Sequence, residues 1–136
     1  MKKLLLIVCL IFSPLCFAQE KMVVIVNANN EASFDKVSIS RMYIGRIKSF
    51  TTGEKAIVLQ PNSMALQDQF NQYFLSRSSV QVKAYWSKML FSGKAKPPRQ
   101  LSSNEIVKQV ESNPFYIGYV SEKDINDAVR VVFRFP

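Results

Sequence analysis

The segment Val58-Leu59-Gln60-Pro61-Asn62-Ser63 has the residue types and spacing of an anion-binding turn. An apolar strand ends, a polar turn follows, and a helix begins at Ser63. The free N–H groups and positive dipole end of such a helix point out from the carboxyl end of the strand, a geometry that binds phosphate and similar anions. In open α/β sheets, ligands also sit in the crevice beyond the strand ends. Two readings stay open. Ser63 is an N-cap serving only its own helix, or its hydroxyl and the N–H groups of Met64 and Ala65 also meet an anion, with Asn29 or Asn30 lining the same rim. No glycine-rich P-loop and no GxGxxG is present, so nothing supports a nucleotide.

Two basic groups come next. Lys88, Lys94, Lys96 and Arg99 lie close together with no acid between them, and Arg41, Arg46 and Lys48 form a second set. Such patches solubilise a surface or attract acidic partners and anionic lipid. Arg99, after Pro97-Pro98, is the member best placed for an anion or partner contact.

Catalysis has little to work with. The ten acids are scattered, and pairs such as Asp124 and Asp127 read as turn residues. A hydrolase would need Ser63 as nucleophile and a base brought in by the fold. Tyr73, Phe74, Tyr85, Trp86 and Phe91 fall on helical stripes, as core residues do. The reading is of a protein that is not an enzyme and holds no metal and no cofactor.

The first 18 residues carry the pattern of a cleavable secretory signal: Lys2 and Lys3, an apolar run from Leu4 to Phe17, and small residues ahead of a cut between Ala18 and Gln19. The run is about 14 residues, short of the ~20 that span a bilayer as a helix. Leu15 before Cys16 does not suit a lipoprotein site. Cleavage removes both cysteines and leaves a chain with no histidine, so no disulfide, thiol nucleophile or Cys/His metal site remains. The remaining 118 residues, 19–136, carry 16 cationic against ten acidic side chains, a net +6, and form one domain large enough for its own core. A periplasmic location follows, with no stable membrane anchor and no nucleic-acid partner.

Behind the site lie the elements that must hold it. Met22 to Val26 is a continuous, β-branched apolar run, which reads as a strand buried on both faces. Ser38 caps a short helix with Ile39, Met42 and Tyr43 on one face, ended by Gly45. Phe50 to Gly53 is a turn and Ala56 to Leu59 a second strand. A helix from Ser63 carries Leu66, Phe70, Tyr73 and Phe74, and another from near Ser79 carries Val82, Tyr85, Trp86, Met89 and Leu90. Lys94 to Gln100 is a basic, proline-containing loop. Ser102 and Glu105 form a capping box for a helix that Asn113-Pro114 stops. Ile117 to Val120 and Val129 to Phe133 complete an α/β domain.

The order of motifs resembles that of the phosphate-type substrate-binding proteins of ABC transporters. Met42-Tyr43-Ile44-Gly45-Arg46-Ile47-Lys48-Ser49-Phe50 resembles their IFxGKIxxW segment, and Val23 to Asn27 the VVVN strand before it. Gln60 to Ala65 sits where that family has its R-x-x-x-SGT anion loop, and Asn113 to Val120 is similar to NPGAIGYV. There are departures: SGT is here Ser63-Met64-Ala65, and the upstream arginine is Gln60. The resemblance implies an α/β fold, a single lobe of a type 2 periplasmic binding protein-like fold with a mixed sheet flanked by helices. It implies an exported domain that binds a small, phosphate-like oxyanion without catalysis. The alternative is an accessory protein that kept the fold, lost the ligand and engages an envelope protein or a second copy of itself. About half of a two-lobed binding protein is expected to be missing.

Overall fold

A computed structural model describes residues 13–15 and 20–136. Most of the proposed export signal, residues 1–18, lies outside the described residues. The elements, in chain order, are β1 (Met22–Asn27), α1 (Lys36–Tyr43), β2 (Ile57–Pro61), α2 (Met64–Phe70), α3 (Ser79–Ser92), β3 (Arg99–Leu101), α4 (Ser103–Ser112), β4 (Tyr116–Ser121) and β5 (Val129–Phe135). A π-helical turn, Asn71–Leu75, extends α2.

One five-stranded mixed sheet has the order β3-β2-β4-β1-β5. β2 runs parallel to both β3 and β4, whereas β1 is antiparallel to β4 and β5. β1 is hydrogen-bonded on both edges and buried on both faces, with all six residues inaccessible or nearly so. That is why its sequence lacks polar alternation. Its side chains still part by period two. Met22, Val24 and Val26 face a layer with Ile39, Met42, Tyr43, Phe70 and Phe74. Val23 and Ile25 face Ile106, Val107 and Val110 of α4. Helices therefore cover both faces, α1 and α2 on one and α4 on the other.

Gly118 sits under α4. A Cβ there would lie 2.5 Å from Ile106 Cγ2, so only glycine lets the helix approach β4 this closely. The capping box of α4 forms as expected, Ser102 Oγ accepting from Glu105 N–H at 3.3 Å and Glu105 accepting from Ser102 N–H at 3.2 Å.

Several expectations shift. The N-cap of α1 is Asp35, and Ser38 is its partner three residues on, each side chain bonding the other's backbone N–H. An Asp carboxylate outcompetes a hydroxyl for the helix end. β3 falls partly inside the stretch read as loop: three residues after two prolines carry no strand periodicity, and only the edge of β2 makes them a strand. On α3, Trp86 is the one buried residue; Val82, Tyr85 and Met89 are half-buried and Leu90 is exposed. The stripe is apolar, but little of the body reaches it.

Candidate functional site

β2, β3 and β4 are parallel, so their carboxyl ends share one edge of the sheet. Asn62 N–H donates to Leu101 O at 2.9 Å, which ties the turn after β2 to the turn after β3. Two helices, α2 and α4, thus start side by side. Their first turns differ. α4 already holds a carboxylate, Glu105, against its N-terminus. α2 has no acid in its first turn.

Pro61 ends β2 and removes one backbone donor, and Ser63 caps α2. The Ser63 hydroxyl accepts from Leu66 N–H at 3.4 Å, and its carbonyl accepts from Gln67 N–H at 3.1 Å. The N–H groups of Met64 and Ala65 meet no acceptor among the described residues, and both residues are exposed. Helix geometry leaves the first N–H groups without internal partners. Ser63 is therefore a cap, and beside it remain two free donors and a hydroxyl whose proton is uncommitted.

Asn29 and Asn30 are not on this rim, which corrects the expectation that they line it with Ser63. β1 runs antiparallel to β4, so its carboxyl end lies at the opposite end of the sheet, Val26 facing Ile117. The asparagines there hold loops. Asn30 is buried, donating to Pro114 O and accepting from Ala32 N–H, while Asn29 is exposed and its N–H donates to Asn27 Oδ1. Asn27 closes the far end of α4 through 2.9 Å bonds to Val110 O and Glu111 O. A strand's direction within a sheet is a tertiary property, and nothing in the local pattern of Asn27 to Asn30 specifies it.

A crevice of about 380 Å³ opens beside Met64, between α2 and α3. Gln60, Gln67, Asn71 and Gln100 give it amide groups, Lys83 a cation and Trp86 an apolar wall. Gln67 is buried and donates to Pro61 O at 2.8 Å, holding the turn before Ser63. Gln67 and Asn71 were not singled out in the sequence because they lie beside the apolar stripe of α2 rather than on it. The signal was there: Met64, Gln67 and Asn71 follow i, i+3, i+7 on the adjacent face. Among the described residues, no group of three or more acidic, His or Cys side chains could hold a metal ion. No helix among them is long and apolar enough to cross a membrane.

No protein-family model matches the sequence, and no curated protein matches it. Solved structures do. A phosphate ABC transporter substrate-binding protein with bound phosphate from Clostridium perfringens superposes with a TM-score of 0.62 at 18% identity, over 83% of this chain and 44% of that one. An ABC-type phosphate transport receptor from Vibrio cholerae gives 0.55 at 16% identity, over 83% and 45%. PstS from Borrelia burgdorferi gives 0.59 at 11% identity, over 83% and 46%. At these identities the likeness is one of fold. The mixed α/β fold expected from the sequence is found, and it is built like part of a phosphate-type substrate-binding protein. The chain spans less than half the length of these structures.

Proposed function

We propose that this chain is an exported, non-catalytic binding domain that takes a small, phosphate-like oxyanion at the start of α2. The observation that carries the reading is the pair of free N–H groups at Met64 and Ala65, beside the uncommitted Ser63 hydroxyl and with no acid in the first turn. Backbone donors and a helix dipole stabilise an oxyanion without a side-chain cation. The fold shared with phosphate ABC transporter proteins supports the same ligand class. The signal-like segment 1–18 supports a periplasmic location, with 19–136 as the binding domain. The site is open to water, so affinity is expected to be modest.

Calorimetry and thermal shift with millimolar phosphate, sulfate and chloride test the reading. Phosphate at 100 times its dissociation constant adds ~2.7 kcal/mol of stability. Ser63→Ala is expected to weaken phosphate binding by roughly tenfold, the worth of one charge-assisted hydrogen bond. No heat and no shift with any oxyanion would sink it.

A further inference from the structure

Lys48 of the second basic group, joined by Lys55, meets Lys94, Lys96 and Arg99 of the first, about 50 residues on, along the banks of one groove. It has a volume of about 850 Å³ and is lined by Lys48, Lys55, Lys94, Lys96 and Arg99. Its floor is apolar, with the half-buried Ile47, Ile57 and Val58, and Leu90 stands at its edge. No carboxylate lines it among the described residues, and none of the five cations is in an ion pair there; the ion pairs found are Lys123 with Glu20 and Arg134 with Glu122.

The fold builds this groove through one close approach. Gly45 follows α1 with φ +76°, and a Cβ there would lie 2.9 Å from Ala95 Cβ and 3.3 Å from the Trp86 ring. The end of α1 is thereby pressed against both α3 and the basic loop. Tyr85 Oη donates to Ile44 O at 2.7 Å, and Lys48 Nζ donates to Lys94 O at 3.3 Å across the banks. Ala56 N–H donates to Lys48 O at 3.0 Å, which fixes the arm carrying Lys48 along the start of β2. Leu90 is 53% exposed and Phe91 beside it 97% exposed, so apolar surface continues out of the groove.

We propose that this groove docks an acidic peptide segment of a partner protein, one in which carboxylate and apolar side chains alternate. Five cations without acids favour a negative partner over a neutral or basic one. A flat anionic membrane would meet the rim and leave the recessed floor empty. A small oxyanion would leave the apolar side chains uncovered. An extended segment satisfies both, since successive side chains point to opposite faces and can serve rim and floor in turn. The proposal is independent of the oxyanion reading: the groove follows the start of β2, and Ser63 lies past its end.

The test is fluorescence anisotropy of the full chain with a short labelled peptide of alternating Glu and Leu, against its Gln-Leu analogue and phosphatidylglycerol vesicles. The Glu peptide is expected to bind and the Gln peptide to fail. Lys96→Glu with Arg99→Glu should weaken binding by roughly tenfold or more, as should about 0.5 M salt. Leu90→Ser, at an exposed position that the fold does not need, should weaken it separately. Phosphate at millimolar levels should not displace the peptide; displacement would place it at the α2 site and overturn the proposal. It also falls if the peptide does not bind at about 1 mM, if charge reversal leaves binding unchanged, or if vesicles bind and the peptide does not.

Discussion

Tyr119 carries the one fully buried side-chain polar atom without a partner among the described residues, its hydroxyl. The ring is fully used: it stacks on Phe70 at 4.1 Å and meets Tyr43 edge-on at 5.4 Å. Burial, with Asp68 as a smaller cause, pushes the phenol far above its ordinary range. An orphaned buried hydroxyl costs free energy that phenylalanine avoids. Tyr119→Phe is therefore expected to raise unfolding free energy by about 1 kcal/mol in urea denaturation. Tyr43→Phe should lower it by about 1 kcal/mol, because Tyr43 Oη donates to Leu59 O at 2.7 Å. Glu20 gives a pH dependence. Ser121 Oγ donates to it at 2.6 Å and Lys123 Nζ lies 2.9 Å away, and these hold its carboxyl below the usual value. A folded-state pKa lowered this way contributes stability above the unfolded pKa, lost as pH falls through the folded one. Acid unfolding below about pH 4 should be less steep in Glu20→Gln than in the parent. Glu20 and Lys123 are substantially exposed, so the effect is small.

Gly45 and Gly93 end α1 and α3 with similar left-handed backbone, φ +76° and +70°. Their surroundings differ: Gly45 faces Ala95 and Trp86, while Gly93 faces open space. Gly93→Ala should cost about 1 kcal/mol, the conformational penalty alone. Gly45→Ala should cost about 2–4 kcal/mol, because Ala95 or the helix must also move. Urea unfolding of the two variants measures the difference; equal costs would mean that α1 is not pressed against the basic loop. The caps of α2 and α4 were legible in the sequence because a cap is a local pattern, as Ser63 and the Ser102–Glu105 box show, whereas that of α1 is Asp35 and not the expected Ser38. β3 was not, since a three-residue edge strand exists only by pairing with β2.

The sheet and its helices do not share one stability. β1 is enclosed on every side, while α3 buries one residue of its fourteen and is held mainly through Tyr85, Trp86 and the bond between Asn71 and Ser79. Hydrogen exchange should find α3 opening at roughly 2 kcal/mol or more below the central amides of β1. Equal protection would show that the crevice between α2 and α3 is as closed as the core. An element that opens this readily beside both the crevice and the basic groove is where binding at either would show as added protection.

While the mixed sheet was implied only by the resemblance, the residues from Met22 to Val26, the amphipathic stripe of α2 and the caps at Ser63 and Ser102 were sufficient to read α/β elements and a strand–turn–helix junction. Those features follow from periodicity and short-range hydrogen bonding, which act within a few residues. The reversed direction of β1 did not follow. It placed Asn29 and Asn30 at the end of the sheet away from Ser63, although the sequence had set them on one rim. Nor did the meeting of Lys48 with Lys94, residues 46 positions apart. Strand direction and the closing of Gly45 onto Ala95 depend on which apolar faces find each other across the whole chain, and only the packed core decides that.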